Sequence, residues 1–149
     1  MSNATTRPPI TCHVLDTTTG RPAANLEVKL SCCDFSDIIF EGTTNTDGRI
    51  ASWANKQGSG GAEGSYVVSK GGVIPSISAI ITEQAAQGGN AARPIGSSLW
   101  KLQFNTGAHY GIENTFFPIV ELSFLVVQGE HFHVPLLLGP YSFTTYRGS

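Results

Sequence analysis

The feature that most constrains the fold is a two-residue alternation of apolar and polar side chains in several short runs. Such alternation is typical of β-strands that bury one face and expose the other. The runs cover Ile10 to Asp16, Leu26 to Cys32, Ile38 to Thr43, Arg49 to Ile50, Leu99 to Asn105 and Ile119 to Val127. Turn residues such as those at 45–48 separate them. With one short helix at Thr106 to Glu113, the pattern predicts an all-β sandwich.

The last stretch of the sequence, residues 131–149, holds the densest group of side chains that could do chemistry. It reads HFHVPLLLGPYSFTTYRGS. Because side chains alternate along a strand, His131 and His133 are expected on one face and three apolar side chains on the other. Gly139-Pro140 predicts a turn, so the two runs are expected to pair as a hairpin. The closing residues 146–149 place an arginine, a hydroxyl and the terminal carboxylate within three positions of one another.

A change of composition marks residues 54–97, which hold nine of the seventeen glycines and few aromatic residues. A structureless run of this length is uncommon in a compact domain. We therefore expect an insertion that loops out of the fold and is partly mobile. Within it, residues 76–86 are a candidate helix and residues 66–69 a candidate strand fragment. Residues 1–9 are expected to be a flexible lead-in to a single domain at 10–149.

Composition argues against several classes of partner. The net charge is −2 and there is no basic run, which disfavours nucleic acid and anionic membranes. Cys12, Cys32 and Cys33 have neither the count of a disulfide framework nor the spacing of a zinc site. The first nine residues lack the apolar core of a secretory signal, and no apolar run approaches the roughly 20 residues that span a bilayer. A cytoplasmic protein is expected, with peroxisomal import as the alternative.

Histidines are the leading candidates for chemistry. His13 lies on the polar face of the first predicted strand, His131 and His133 share a face near the end, and His109 lies in the short helix. An arginine such as Arg49 beside imidazoles favours their neutral form, which a general base requires. A guanidinium also donates to a carbonyl or an oxyanion. The His-x-His pair is equally a metal-binding pattern, so a metal site stays open at this point.

Several of these motifs together resemble the 5-hydroxyisourate hydrolases, the enzymatic members of the transthyretin-related family. The resemblance covers residues 10–53 and 98–149. Its motifs are Ile10 to Asp16 with Thr19 to Ala23, then Thr46-Asp47-Gly48-Arg49, Phe117-Pro118, His131 to Leu138 and Tyr146-Arg147-Gly148-Ser149. The final tetrapeptide is the most specific of them, because the thyroid-hormone carriers of the superfamily lack it.

The resemblance implies a transthyretin-like sandwich of two four-stranded sheets with one short helix and the long glycine-rich insertion. It also implies a homotetramer, built as a dimer of dimers, with the active site in the channel between dimers. No cofactor or metal is implied. Carried onto this sequence, the catalytic residues are His13, Arg49, His133 and Ser149, and the substrate-binding residues are Tyr146, Arg147 and His131.

The implied reaction opens the ring of 5-hydroxyisourate, the small-molecule substrate, to 2-oxo-4-hydroxy-4-carboxy-5-ureidoimidazoline in urate degradation. A histidine would take a proton from water, which attacks a cyclic amide carbonyl, while Arg49 stabilises the developing charge. Two rivals stay open: a transthyretin-like carrier of a small ligand without catalysis, and a metal-dependent hydrolase using His131 and His133. A purely structural sandwich is the remaining alternative.

Overall fold

Two β-sheets packed face to face make up most of the computed structural model, which describes residues 7–55, 75–91 and 93–149. The first sheet has the order β10-β9-β1-β2, with β5 also paired to β1. Its strands are β1 (Ile10–Asp16), β2 (Arg21–Pro22), β5 (Arg49–Ile50), β9 (Phe132–Leu138) and β10 (Phe143–Thr145). The second sheet, in the order β6-β4-β3-β7-β8, contains β3 (Glu27–Cys32), β4 (Ile39–Thr43), β6 (Ala54–Asn55), β7 (Ser97–Phe104) and β8 (Val120–Val127).

The predicted all-β sandwich is confirmed, but each sheet has five strands within the described residues where the resemblance implied four. The strands that no run predicted, β2 and β6, are two residues long. A segment of that length has too few side chains to show an alternation. The terminal hairpin is confirmed, since β9 and β10 pair antiparallel and Gly139 N donates to Ser142 O across the turn at 2.8 Å.

The core lies between the sheets and is built from the apolar side of each alternating run. On β7, Trp100, Leu102 and Phe104 are completely buried, whereas the polar residues between them are only partly covered. On β1, Cys12 and Val14 are completely buried in the same core. Burying one large apolar side chain contributes about 1.5–3 kcal/mol, so these faces fix which side of each strand points inward. The polar faces are thereby left outside.

Helix α1 (Ile77–Ala85) corrects the expectation that residues 54–97 loop out of the fold. It lies against β7 and β8, and its Ile80 and Ile81 belong to the core. Ser76 caps the helix, because its Oγ accepts a hydrogen bond from Ala79 N at 3.0 Å. Isoleucines on one helical face supply the apolar surface that docks it. The strand fragment expected at residues 66–69 lies outside the described residues.

Helix α2 (Thr106–Tyr110) occupies the first part of the predicted short helix. Gly111 ends it with φ +94°, and a single 3₁₀ turn, Ile112–Asn114, follows. Positive φ is the conformation in which glycine is favoured, so the helix stops earlier than the predicted Glu113. A second 3₁₀ turn covers Cys33–Phe35. No helix in the described ranges is long and apolar enough to cross a membrane.

Candidate active site

Three imidazoles lie together on the outer face of the first sheet. β9 runs parallel to β1, with Thr11 opposite His133 in the register. His13 on β1 and His133 on β9 are half-buried, and their ring centroids are 6.5 Å apart with planes inclined by 23°. The ring of His131 lies on the other side of His133, at 6.4 Å and 12°. The two histidines predicted as catalytic are therefore neighbours, with His131 completing a row of three.

Hydrogen bonds at Nδ1 orient two of these rings. His131 Nδ1 lies 2.5 Å from Pro8 O, and because a carbonyl only accepts, Nδ1 is the donor of this hydrogen bond. His133 Nδ1 lies 2.7 Å from the Thr11 hydroxyl. A partner at Nδ1 holds the plane of the ring and leaves Nε2 for other chemistry.

Burial and neighbouring cations lower the pKa of His13 and of His133. Burial, followed by the charge of Arg49, lowers the pKa of His13 below its usual value of 6.5, against a smaller opposing effect of Asp47. The pKa of His133 is lowered by burial, then by Arg49 and the two other imidazoles, and least by Arg7. A histidine with a lowered pKa is neutral at pH 7 and can accept a proton.

Arg49 reaches this face through a tight turn. It stands opposite His13 in the antiparallel pairing of β5 with β1. The side chain of Asn45 caps the turn by accepting from Asp47 N at 2.9 Å and from Arg49 N at 3.0 Å. Gly48 has φ +74°, and a Cβ there would lie 2.5 Å from the main-chain oxygen of Val14. Only glycine fits that position, so the turn and the register of Arg49 depend on each other.

The end of the sequence returns to the histidine face. Gly148 N donates to His133 O at 2.8 Å, which bridges the last residues to β9. A Cβ on Gly148 would lie 2.9 Å from Cδ2 of the His133 ring and 2.8 Å from Cγ of Pro135. This close approach brings the main chain just before Ser149 to the edge of the His133 ring. Three of the predicted residues, His13, Arg49 and His133, come from separate segments of the chain to one face, and Ser149 directly follows the residue bridged to His133.

Arg147 and Tyr146 line a groove that His133 also lines, but the contacts of the Arg147 side chain are with other partners. Arg147 donates to Glu130 Oε1 and to His131 O, both at 3.2 Å, and its guanidinium carbon lies 4.2 Å from the centroid of the Phe132 ring. Phe132 belongs to the apolar face of β9, so Arg147 points away from the imidazole row. Tyr146 is exposed and, with Arg147, lines a groove of about 600 Å³ along strand β8.

Proteins of known family resemble this chain over nearly its whole length. The sequence model of the HIUase/Transthyretin family matches residues 10–148, which is nearly the whole chain. The chain belongs to the HIUase/Transthyretin family. It is 30% identical over 150 residues to a probable 5-hydroxyisourate hydrolase of Schizosaccharomyces pombe, covering 95% of this chain and 92% of the yeast protein.

Two further relatives extend the comparison. The uric acid degradation bifunctional protein TTL of Arabidopsis thaliana is 36% identical over 149 residues, 96% of this chain. The chain spans only 38% of that longer plant protein. The solved structure of Klebsiella pneumoniae 5-hydroxyisourate hydrolase superposes with a TM-score of 0.59 at 24% identity, covering 95% of this chain and 94% of the other. At that identity the likeness supports the fold of the HIUase/Transthyretin family and nothing finer.

Sequence reasoning missed four contributors to the site of this HIUase/Transthyretin family member. Thr11 contacts His133, and the alternation of β1 already placed it on the face of His13. Gly148 permits the close approach to His133, which no pattern in the sequence indicated. Pro8, and Arg7 before it, fell in the expected flexible lead-in, yet both make hydrogen bonds at this face.

The metal alternative gains no support from the geometry. In the described residues no group of three or more His, Cys, Asp and Glu side chains is placed to hold a metal ion. What the arrangement provides is neutral imidazole bases beside a guanidinium, which suits proton transfer coupled to stabilisation of an oxyanion.

Proposed function

We propose that this chain is a hydrolase that opens the ring of 5-hydroxyisourate to 2-oxo-4-hydroxy-4-carboxy-5-ureidoimidazoline in urate degradation. Membership of the HIUase/Transthyretin family and the 5-hydroxyisourate hydrolases among its relatives support the substrate. The observation that carries the chemistry is the pair of neutral imidazoles, His13 and His133, whose rings lie 6.5 Å apart within the field of Arg49.

In the mechanism that we propose, one imidazole of this pair takes a proton from water. The water oxygen bonds to a carbonyl carbon of the cyclic substrate, and Arg49 stabilises the negative charge that develops on the carbonyl oxygen. The ring C–N bond then breaks, and the imidazolium returns its proton to the departing nitrogen. Ser149 orients water or substrate. Base assistance contributes roughly 10²–10⁴ in rate and an oxyanion donor about 10²–10³.

The three proposed substrate-binding residues differ in their contacts with the imidazole row. His131 is adjacent to His133 in the same chain, and in our proposal it contacts the substrate directly. Arg147 packs on the Phe132 ring, and Tyr146 lines the same groove as Arg147, so in our proposal they act on a substrate held between subunits. Arg147 also fixes the last turn of the chain through Glu130, which helps to carry Ser149 to its place.

We propose a homotetramer built as a dimer of dimers, because the face that carries the imidazoles is open on one side in a single chain. A second dimer would cover it and exclude water, which strengthens each electrostatic interaction. The edge strand β8 exposes Leu125 and Val127, and such an edge is normally paired or covered. Light scattering should give four times the 15.8 kDa chain mass. A stable monomer with full activity would contradict the proposal.

Freshly generated 5-hydroxyisourate in a stopped-flow absorbance assay tests the function. Wild-type protein should accelerate ring opening, and His133→Ala should lower kcat/KM by roughly 10²–10⁴, the range of a lost general base. Lys29→Gln, a change on the exposed side of β3 in the other sheet, is the matched control and should behave as wild type. Hydrolysis at the wild-type rate by His133→Ala would disprove the mechanism. Tight thyroxine binding without hydrolysis would instead favour a carrier.

We also propose that the reaction takes place in the cytoplasm. Three cysteines in the described residues are unpaired, and Cys32 and Cys33 are adjacent, which suits a reducing compartment. Cell fractionation checks this, since enrichment in peroxisomes would overturn it.

A further inference from the structure

Residues 7–9, just before β1, are tied to the candidate site at three points. Arg7 Nη2 donates to the main-chain oxygen of Ser149 at 3.2 Å. Pro8 O accepts from Nδ1 of His131 at 2.5 Å, and Pro9 O accepts from Phe132 N at 2.8 Å. The segment therefore joins the start of β9 to the last residue of the sequence. The Pro9 contact continues the pairing of β1 with β9, whereas the contacts of Arg7 and Pro8 lie outside it.

We infer that Arg7 is a positioning residue of this site, which holds Ser149 beside the imidazole row and adds a second cation to that of Arg49. This inference rests on the proposed hydrolysis, since Ser149 and the imidazoles are the groups that Arg7 serves. Nothing in the relatives' names or in the family match assigns it a role.

Local sequence makes the segment a good support. Proline restricts φ to about −65° and pushes the residue before it toward extended backbone, so consecutive prolines at 8 and 9 leave few conformations to lose on folding. Neither proline has an N–H to satisfy, while their carbonyls accept hydrogen bonds from the His131 ring and from Phe132 N. The extended direction fixed by Pro8 and Pro9 is what delivers the guanidinium of Arg7 to Ser149.

Charge gives Arg7 a second effect, on His133. The groups that face this imidazole are Thr11 and His13 from β1, Arg49 from β5, and His131 from the residues just before β9. Arg7 adds to the cations among them and lowers the pKa of His133, although less than burial or Arg49. Removing its charge should raise that pKa, so the general base becomes protonated at a higher pH than in the wild type.

Two substitutions separate the hydrogen bond from the charge. Arg7→Gln keeps donors and removes the charge, so the acid limb of the kcat/KM profile should move to higher pH and kcat/KM at its plateau should fall about tenfold, or about 1.4 kcal/mol. Arg7→Lys keeps the charge and loses the planar pair of donors, so the acid limb should stay in place while kcat/KM falls roughly threefold. Lys29→Gln is the control for loss of a cation elsewhere and should move neither.

A titration of the His133 Cε1–H resonance by NMR reports on the inference without any substrate. The inference requires a higher pKa of His133 in Arg7→Gln than in wild type, with Arg7→Lys at the wild-type value. It is overturned if Arg7→Gln keeps the wild-type pKa and pH profile. It is also overturned if both variants lose equal activity with unchanged acid limbs and lower melting temperatures, since that marks a merely structural role. An inactive wild type would sink the proposed function, and the titration would still decide on Arg7.

Discussion

Strand β1 takes part in two histidine sites whose charged neighbours have opposite sign. One site contains His13 and His133, and the other contains His109. His13 and His133 stand among further imidazoles and within the field of Arg49. His109 of α2 instead has its Nε2 2.8 Å from the carboxylate of Asp16, at the end of β1. A cation beside an imidazole disfavours the charged ring, whereas a carboxylate binds the ring as a donor. The same residue type is prepared for proton transfer in one place and for holding secondary structure in the other.

Asp16, Thr18, His109 and Tyr110 form a hydrogen-bonded group, called the Asp16 cluster, which stabilises the packing of α2 on the first sheet. Asp16 is almost completely buried, and its carboxylate accepts from Thr18 N and Oγ1 at 2.9 and 2.6 Å. Tyr110 OH donates to it at 2.9 Å and also lies 3.1 Å from Leu138 O on β9. Burial acts to raise the pKa of Asp16, but hydrogen bonds from Thr18, His109 and Tyr110 outweigh it and lower the pKa to about 2. The carboxylate thus stays charged and anchors α2 to the first sheet.

Among the tests of this comparison, removal of the Arg49 charge should cause the largest loss of kcat/KM. Arg49→Gln takes away the proposed oxyanion donor, so kcat/KM should fall by about 10²–10³. The same change should raise the pKa of both His13 and His133, because Arg49 lowers each of them. The acid limb of the pH–rate profile should therefore move to higher pH. Stopped-flow kinetics across pH measure both effects, and urea unfolding should show little change, since Arg49 is exposed.

If the acid limb of the pH–rate profile is unchanged in Arg49→Gln, the charge of Arg49 does not distinguish the His13 and His133 site from the His109 site. That result would mean that burial alone keeps the imidazoles neutral. Arg49→Lys sharpens the result, because it retains the charge and loses the planar donors. It should restore the wild-type acid limb without restoring the full rate.

Removal of the anion from the other group should cost stability and leave the chemistry intact. A pKa lowered from 3.8 to about 2 corresponds to roughly 2 kcal/mol of stability at neutral pH, so Asp16→Asn should lower the free energy of unfolding by about that amount. For a lowered carboxyl pKa, this stability is fully present above the usual value and is lost as pH falls toward about 2. Urea unfolding at pH 7 and at acid pH measures the difference, which should shrink on acidification.

Kinetics supply the control for Asp16→Asn. At temperatures well below its melting point, kcat/KM on 5-hydroxyisourate should equal that of the wild type, because no residue of the Asp16 cluster touches the imidazole row. A loss of rate comparable to that of Arg49→Gln would show that the two groups on β1 are coupled, and the division of roles would fail.

The contrast also shows what the sequence could reveal. Alternation in β1 and β7 predicted both strands and their inward faces, because a buried face admits only apolar side chains at every second position. His13 and His133 followed from the same rule once their strands were known. The turn residues before Arg49 predicted that it opens a short strand, whereas its role in the site was implied by the family resemblance. These are local signals, and the structure confirms the geometry that they predicted.

Local sequence patterns did not predict the contacts between residues that are distant in the chain. Arg7 and Ser149 are 142 positions apart, and nothing in the composition of the lead-in predicts that they meet. Docking of α1 depends on the partner surface of β7 as well as on its own isoleucines. The resemblance implied substrate binding by Arg147, but in one chain its guanidinium packs on the Phe132 ring and pairs with the Glu130 carboxylate. Side-chain direction at a chain end is decided by tertiary partners that no short pattern encodes.

Substitution of Thr11 should have the smallest effect on kcat/KM, because its contact with His133 involves no charged partner. Its hydroxyl contacts Nδ1 of His133 as the carboxylate of Asp16 contacts Nε2 of His109, but it is neutral. Thr11→Val keeps the shape and removes the hydroxyl. A neutral hydrogen bond contributes about 0.5–1.5 kcal/mol net, so kcat/KM should fall roughly threefold to tenfold.

Thr11→Ser keeps the hydroxyl and should recover most of the lost rate, which separates the hydrogen bond from packing in β1. The acid limb should change little in either variant, because no charge is gained or lost beside His133. A large shift of that limb in Thr11→Val would mean that the hydroxyl, rather than the cations at Arg49 and Arg7, sets the protonation of the base. Such a result would move the origin of the contrast from long-range charge to a single hydrogen bond at Nδ1.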